Sequence, residues 1–357
     1  MLKSHFNLVA TDSESEEEVV EAASVVEETV KEELPPRRLQ KSEVCTRLSM
    51  LGKTASGDGY TFLKCKLVGM NITRIDVIRS YKHIMFLDVS NNLLDLDALQ
   101  VVTQLPNLIL IHADENRIAS AGLKQMKYLQ VIIFNNNQIT SLADVFQEQL
   151  STLELGFNKI KTIDFKFKMP TMRVLDLRNN LITEIPPLEF PKLDSLYLAG
   201  NKIKTLAGIE LLVNLRVLHV RNNPIRYLDG FNEDHTKLQY INLRNCRVTT
   251  LRQVRKLKVL KALDTLVLKG CPYMGGAGDE DPENKDEEDD PQIRVELLAT
   301  MPRLKRINKD IVTPEEREES KQLLAQWAEE GEKEEEEIEI EEQQVEEEMS
   351  HVEEEQD

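Results

Sequence analysis

One eleven-residue pattern recurs along most of this chain and restricts its fold more than any other feature. Seven segments, from IMFLDVSNNLL to LRVLHVRNNPI, follow L-x-x-L-x-L-x-x-N-x-L, and LQYINLRNCRV and LDTLVLKGCPY repeat it with cysteine in the asparagine position. We name that position the slot, and its occupants are Asn92, Asn116, Asn137, Asn158, Asn180, Asn201, Asn223, Cys246 and Cys271. Successive slots are 24, 21, 21, 22, 21, 22, 23 and 25 residues apart. This near-constant step predicts a tandem array of one structural unit.

Each unit predicts a short strand followed by a turn. Alternate strand residues point to opposite faces, so we expect Leu218 and Val220 in the core and His219 and Arg221 outside it. The slot asparagine can both donate and accept hydrogen bonds, so a stacked column of these amides can satisfy the backbones of adjacent turns. Most steps are 21 or 22 residues, as is typical of leucine-rich repeats. The predicted fold is therefore an α/β leucine-rich repeat solenoid, stabilised by stacking and capped at both ends.

Charge is distributed unevenly and sets the predicted domain boundaries. The formal net charge is -18, but residues 1–41, 279–290 and 329–357 carry -5, -8 and -16, which leaves +11 on the remainder. Segments this acidic and this poor in aromatic residues do not form a core. We predict a disordered acidic tail over 1–45 and a repeat domain over 46–312 with an acidic loop at 277–291. A capping helix over 313–330 and a second disordered acidic tail over 331–357 are predicted to follow.

Sequence motifs for catalysis or ligand binding are incomplete. The LGKT fragment at 51–54 lacks the first glycine of a phosphate loop, because Arg47 occupies that position, and the acidic loop lacks the glycine and glutamate of an EF-hand. The cysteines form no C-x-x-C pair, and no apolar run reaches about eighteen residues. We expect a non-enzymatic protein of the reducing cytoplasm, with no cofactor, metal, small-molecule substrate, membrane or nucleic-acid partner.

Three rows of strand positions point away from the predicted core and form the candidate binding surface. The first row is apolar at six of nine positions, the second is mixed, and the third is basic in its second half. Apolar and basic residues on one face suit an acidic protein surface, because arginine pairs with carboxylates in a bidentate manner. The alternative is a set of ordinary solvated strand positions. The predicted partner-binding residues here are Phe86, Leu110, Val131, Ile133, Val174, Arg178, Tyr197, Val217, His219, Arg221, Tyr240, Arg244 and Lys269.

The predicted C-terminal helix carries a further candidate site. Thr313 is placed as its N-cap, and Glu316 completes a capping box. Further along, Leu323 and Trp327 belong to an apolar patch at helical spacing in a segment otherwise rich in glutamate. Two interpretations remain open: the patch seals the last repeat, or it anchors a neighbouring subunit, as tryptophan commonly does in interfaces. We favour the second and add Leu323 and Trp327 to the predicted partner-binding residues.

Longer segments carry a family resemblance. The repeats and the cap MPRLKRINKDIVTPEERE resemble the short leucine-rich repeats typified by regulatory subunits of protein phosphatase 1 and the spliceosomal A-prime protein. More closely, IRSYKHIMFLDVSNNLLDLDAL, LPNLILIHADENRIASA, MKYLQVIIFNNNQIT and LQYINLRNCRVTTL resemble a leucine-rich repeat family of ciliary and flagellar radial spokes. The resemblance covers roughly residues 46 to 325 and departs from the family at the acidic loop, where the family has a short connection.

The resemblance implies a structural subunit of the axonemal radial spoke, with other spoke proteins as partners. It implies a location in the cytoskeleton of motile cilia or flagella. Two alternatives remain. The glutamate-rich tail also suits an acidic-tailed nuclear leucine-rich repeat protein that acts on histones or phosphatases, and the repeat type, but not the tails, suits a phosphatase regulator.

Overall fold

The computed structural model describes residues 36–54, 56–278 and 289–330. Residues 1–35 and 331–357 of the predicted disordered tails, and residues 279–288 of the predicted acidic loop, lie outside this described part. The described residues belong to a unit that begins at Pro36.

Thirteen strands form one sheet in which the spatial order follows the chain order. Strands β2 to β12 run parallel, whereas β1 and β13 pair antiparallel with their neighbours. Their bounds are β1 Leu48–Lys53, β2 Tyr60–Lys66, β3 Phe86–Asp88, β4 Leu110–His112, β5 Val131–Ile133, β6 Thr152–Glu154, β7 Val174–Asp176, β8 Ser195–Tyr197, β9 Val217–His219, β10 Tyr240–Asn242, β11 Thr265–Val267, β12 Arg306–Ile307 and β13 Asp310–Ile311. The predicted leucine-rich repeat solenoid is confirmed.

Helices are short and lie mainly in the outer repeats. Their bounds are α1 Lys41–Cys45, α2 Leu96–Leu99, α3 Leu251–Arg255, α4 Pro291–Thr300 and α5 Pro314–Glu330, with 3-10 turns at Asp76–Ser80, Gln100–Gln104, Lys256–Val259 and Pro272–Met274. Between β4 and β10, a stretch described throughout, the segments that return to the next strand are extended or turn-like.

The apolar positions of the repeat form one continuous core. In the repeat that contains β9, Leu215, Leu218, Val220 and Ile225 are all fully buried. Burying a side chain of this size contributes about 1.5–3 kcal/mol. Because no repeat can cover its own apolar residues, this stabilisation depends on stacking against both neighbours.

The residue before the slot adopts a left-handed backbone conformation in repeat after repeat. Asn179 has a φ of 51° and Gly200 a φ of 67°, a region that asparagine and glycine tolerate best. Glu115 and Phe157 occupy the same position with φ values of 52° and 56°. The turn geometry of the array is therefore kept even where the side chain does not favour it.

The N-terminal cap begins earlier than predicted. Residues 36–45 were assigned to the acidic tail, but Leu39 and Val44 are buried against the first repeat, and the Leu39 N–H donates to the Arg74 carbonyl at 2.9 Å. Helix α1 carries a capping box between Gln40 and Glu43. The boundary at residue 45 was wrong because apolar burial against another part of the chain, and not local charge, decides where this domain starts.

The C-terminal cap also includes residues that were assigned to the acidic loop. Asp290 caps α4 by accepting from the Gln292 N–H at 2.8 Å. Asp289 pairs with the buried Arg294 at 3.2 Å, and Glu316 accepts from the same guanidinium at 2.5 Å. Burial would raise the pKa of the Glu316 carboxyl, but the hydrogen bond from Arg294 lowers it overall. These contacts join the end of the loop, α4 and the start of α5, so the predicted loop bounds of 277–291 extend too far at their end.

Candidate functional site: the open face of the sheet

The slot residues form a hydrogen-bonded column along the edge of the core. The Asn180 side-chain oxygen accepts from the Ile160 N–H at 3.0 Å, and its nitrogen donates to the carbonyl oxygens of Leu155 and Leu177 at 2.9 and 3.0 Å. Equivalent bonds join preceding turns to the other slot asparagines, which are Asn92, Asn116, Asn137, Asn158, Asn201 and Asn223. The column therefore stabilises the backbone turns that hold the strands in register.

Cysteine fills the slot in the last two of these repeats. The Cys246 thiol donates to the Val220 carbonyl at 3.3 Å, and the Cys271 thiol donates to the Leu243 carbonyl at 3.1 Å. Burial raises the pKa of Cys271 to about 12 and that of Cys246 above its usual value. Both groups therefore stay protonated and can act as donors, and both are free cysteines.

The predicted partner-binding rows are aligned by the sheet register. Phe86 pairs with Leu110, Leu110 with Val131, and Val217 with Tyr240. The same alignment joins Val174 to Thr152 on β6 and Ser195 on β8. These side chains are half-buried except that of Ser195, which is buried. We name this surface the open face. On this face, successive residues of the predicted apolar row lie one strand apart.

Lys64 and Lys66 of β2 pair in register with Phe86 and Asp88 at the start of the open face. Acidic residues dominate the strands that follow, from β3 to β7. His112 lies between two carboxylates, with Nε2 2.9 Å from Asp114 and Nδ1 3.6 Å from Asp88. The hydrogen bond to Asp114 raises the pKa of His112. On β6, burial, followed by the nearby Asp176, raises the pKa of the Glu154 carboxyl. We name this end, with Asp88, His112, Asp114, Glu154 and Asp176, the acidic end.

An aromatic stack follows the acidic end. The Tyr197 and His219 rings stack at a centroid distance of 5.0 Å, and the His219 and Tyr240 rings stack at 4.8 Å. The Arg178 guanidinium lies over the Tyr197 ring at 5.5 Å. Stacked rings on an accessible face offer a rigid, amphipathic contact area, which suits protein recognition.

The basic end is shorter than the sequence predicted. Arg178 forms a salt bridge with Asp176 at 2.7 Å and donates from Nε to the same carboxylate, so its charge is already neutralised within the face. Arg221 is exposed, and Arg244 and Lys269 are half-buried. Counting only the described residues, these three side chains make no salt bridge. We name Arg221, Arg244 and Lys269 the basic end.

Ile133 and the residues predicted on α5 complete the candidate set. Ile133 pairs with His112 and Glu154 in register and is half-buried. On α5, Trp327 lies under the Arg255 guanidinium of α3 at 5.4 Å, and Leu323 is half-buried. This placement of Trp327 against the domain supports the interpretation that α5 seals the last repeat.

The sequence missed how sharply the open face separates its charges. Its second row was described as mixed, because the acids and the aromatic residues were counted together. Their order along the chain was the available signal, since the acids precede Tyr197 and the unpaired bases follow it. The face therefore has an acidic end and, beside the aromatic stack, a basic end.

Other classes of site are sparse in the described part of the chain. Within residues 36–54, 56–278 and 289–330, no group of three or more histidine, cysteine, aspartate or glutamate side chains is arranged to hold a metal ion. Over the same ranges, no helix is both long enough and apolar enough to cross a membrane.

Comparison with known proteins identifies the family. A family model described as Leucine Rich repeats (2 copies) matches residues 148–190, 170–211 and 191–233. The chain is 34% identical over 308 residues to leucine-rich repeat-containing protein 23 from Homo sapiens, which covers 85% of each chain. The chain belongs to the leucine-rich repeat-containing protein 23 family. The protein of that name from Mus musculus is 32% identical over 321 residues, covering 89% of this chain and 90% of its own.

Among solved structures, the chain is similar to an internalin, inlF, from Listeria monocytogenes. That match has a TM-score of 0.39 and 16% sequence identity, and it covers 72% of this chain and 92% of the internalin. Membership of the leucine-rich repeat-containing protein 23 family makes the chain a leucine-rich repeat scaffold with a protein-interaction role.

Proposed function

We propose that this protein is a non-enzymatic structural subunit of the axonemal radial spoke in motile cilia or flagella. It docks neighbouring spoke proteins, of the head or neck, through the open face. Its location is the axoneme, within the cytoskeleton of the cell projection. Family membership and the radial-spoke resemblance of the repeat segments support this proposal.

The observation that carries the docking role is the aromatic stack of Tyr197, His219 and Tyr240 beside the basic end. Aromatic residues and arginine are enriched at the energetic centres of protein interfaces. A partner with an acidic surface can pair with Arg221 and Arg244, which have no carboxylate partner among the described residues. Complementary charge of this kind contributes to partner choice and to the rate of association.

Fractionation of ciliated cells that express the full chain tests this function. We expect the protein to remain with the axoneme after detergent extraction, and the double variant Arg221→Glu with Arg244→Glu to become soluble. The matched control is Lys192→Glu with Lys237→Glu, two exposed bases before β8 and β10, and it should stay axonemal. A soluble nuclear wild-type protein would refute the spoke assignment. Axonemal retention of the double arginine variant would refute docking through the basic end.

A further inference from the structure

A second basic surface lies at the edge of the domain where the strands have ended and the chain leaves the slot turns. Two positions in each repeat, one and three residues after the slot, form two files along this edge of the domain. From Arg117 to Thr249 the two files contain seven bases and no acid. These bases are Arg117, Lys159, Lys161, Lys202, Lys204, Arg226 and Arg247, and we name them the basic flank.

The backbone places the first file at the same point of each turn. The N–H groups of Arg117, Lys159, Lys202 and Arg247 donate to carbonyls of the preceding repeat at 2.9, 2.9, 2.8 and 2.9 Å. These four bases occur in every second repeat and are exposed. Neighbouring strands lie about 4.8 Å apart, so the Cα atoms of bases in every second repeat recur about every 10 Å. The flank is therefore a regular row of positive charge and not a single cluster.

A cavity at the N-terminal end continues the flank. It has a volume of about 560 Å³ and is lined by Pro36, Arg38, Thr73, Arg74, Leu93, Asp95 and Arg117. Its single carboxylate, on Asp95, caps α2 by accepting from the Ala98 N–H at 2.7 Å. Considering the described residues alone, the three arginines make no salt bridge. The three arginines and the one aspartate therefore leave the cavity with a net positive charge.

We propose that the basic flank and this cavity bind an extended, glutamate-rich segment of a partner protein. A segment in the polyproline II conformation rises about 3.1 Å per residue with three residues per turn, so every third side chain lies on the same side and meets the roughly 10 Å spacing of the first file. The partner's carboxylates pair with the lysines along the flank, and carboxylates at one end enter the arginine-lined cavity, where bidentate pairing is available. The eight strand steps from β2 to β10 span about 38 Å and accommodate about twelve residues of the partner segment.

The side chains of the flank favour a polypeptide over a single-stranded nucleic acid. Binding of single strands uses aromatic side chains on which successive bases stack. From residue 117 to residue 249 the two files contain no aromatic residue. The flank also differs from the open face, where aromatic rings and an apolar row contribute, so the two surfaces can bind different partners.

Fluorescence anisotropy with the full chain tests this proposal. The probe is a labelled peptide of about twelve residues, rich in glutamate, and the comparison peptide has glutamine in place of glutamate. We expect the glutamate peptide to bind at low ionic strength, with affinity falling as salt rises, because exposed charges are screened. The double variant Lys159→Glu with Lys202→Glu should weaken binding about tenfold.

The matched control, Lys192→Glu with Lys237→Glu, makes the same change in net charge at the opposite edge of the strands and should change the affinity less than about twofold. Equal losses in the two double variants would overturn the proposal, because net charge alone would then explain binding. The proposal is also overturned if the full chain does not bind the glutamate peptide, or if a thymidine oligonucleotide binds the flank more tightly than the peptide does. Unchanged melting temperatures of the variants exclude unfolding as the cause of a loss.

Discussion

Replacing Asn180 by alanine tests the slot column, because the change leaves a single buried hydrogen-bond donor without its partner. Each of the three carbonyl oxygens that accept from the Asn180 amide keeps another donor, which is a neighbouring slot asparagine in two cases and a backbone N–H in the third. The Ile160 N–H is different. It is fully buried, and its partner in the described part of the chain is the Asn180 oxygen, 3.0 Å away. Leaving one buried donor unsatisfied should cost about 1–3 kcal/mol.

Cys246→Ala is the matched control, because the chain has already adapted to a slot without an amide. The Ile225 N–H, which an asparagine at 246 would bind, donates to the Asn223 carbonyl at 2.8 Å. The Val220 carbonyl, which accepts from the Cys246 thiol, also accepts from the Asn223 side chain at 2.9 Å. Only one weak S–H donor is lost, so we expect destabilisation below about 1 kcal/mol.

Urea denaturation of the full chain, followed by circular dichroism, measures both changes. The free energy of unfolding should fall more in Asn180→Ala than in Cys246→Ala, with similar dependence on urea concentration. Equal losses in the two variants, or no loss in Asn180→Ala, would refute the argument that the asparagine oxygen is needed to satisfy a buried N–H.

Two further predictions concern the strands. Leu196→Ala, in the core, should cost about 2–5 kcal/mol, whereas Tyr197→Ala, on the open face, should cost less than about 1 kcal/mol; similar shifts in melting temperature would contradict the assignment of faces. The pKa of His112 is raised in the folded protein, so its contribution to stability is complete below its unfolded pKa and is lost as pH rises through the folded value. The free energy of unfolding of His112→Gln should therefore lie furthest below that of the wild type at pH values under the ordinary histidine pKa of about 6.5, and approach it as pH rises above that value. A difference that does not change with pH would contradict the paired histidine. The raised pKa of Glu154, which is caused first by burial, acts in the same direction at lower pH.

The repeat architecture was predictable because it depends on a local pattern that recurs at a constant step. The alternation around Leu218 fixes which side chains enter the core, and the slot defines where each turn begins. The start of the N-terminal cap was not predictable in this way. Composition placed Leu39 and Val44 in an acidic tail, and only their packing against the first repeat shows that they belong to the domain.

The sequence predicted where the rows of the open face lie along the strands, but not how their side chains interact with one another. The three rows were placed correctly along the strands, yet Arg178 was counted as available for a partner. Its pairing with Asp176 depends on side-chain direction, which the repeat pattern does not specify. The stacking of His219 with Tyr240 was also not predictable. The sheet register pairs His219 with Asn242, so its contact with Tyr240 runs diagonally between two rows. The basic flank was overlooked because its residues lie in turns, which were considered only as connections between strands.

The separation of charge along the open face has a consequence for how a partner is oriented. Asp88 and Asp114 lie towards one end of the face, whereas Arg221 and Arg244 follow β9 and β10 and lie beside His219 and Tyr240 of the aromatic stack. A partner that engages both ends must present charges in the reverse order, and turning it end for end would place like charges together. The face therefore favours one orientation of a bound partner along the row of strands, and it disfavours a partner whose binding surface is two-fold symmetric. In a larger assembly, each copy of this protein would orient its bound partner in the same direction.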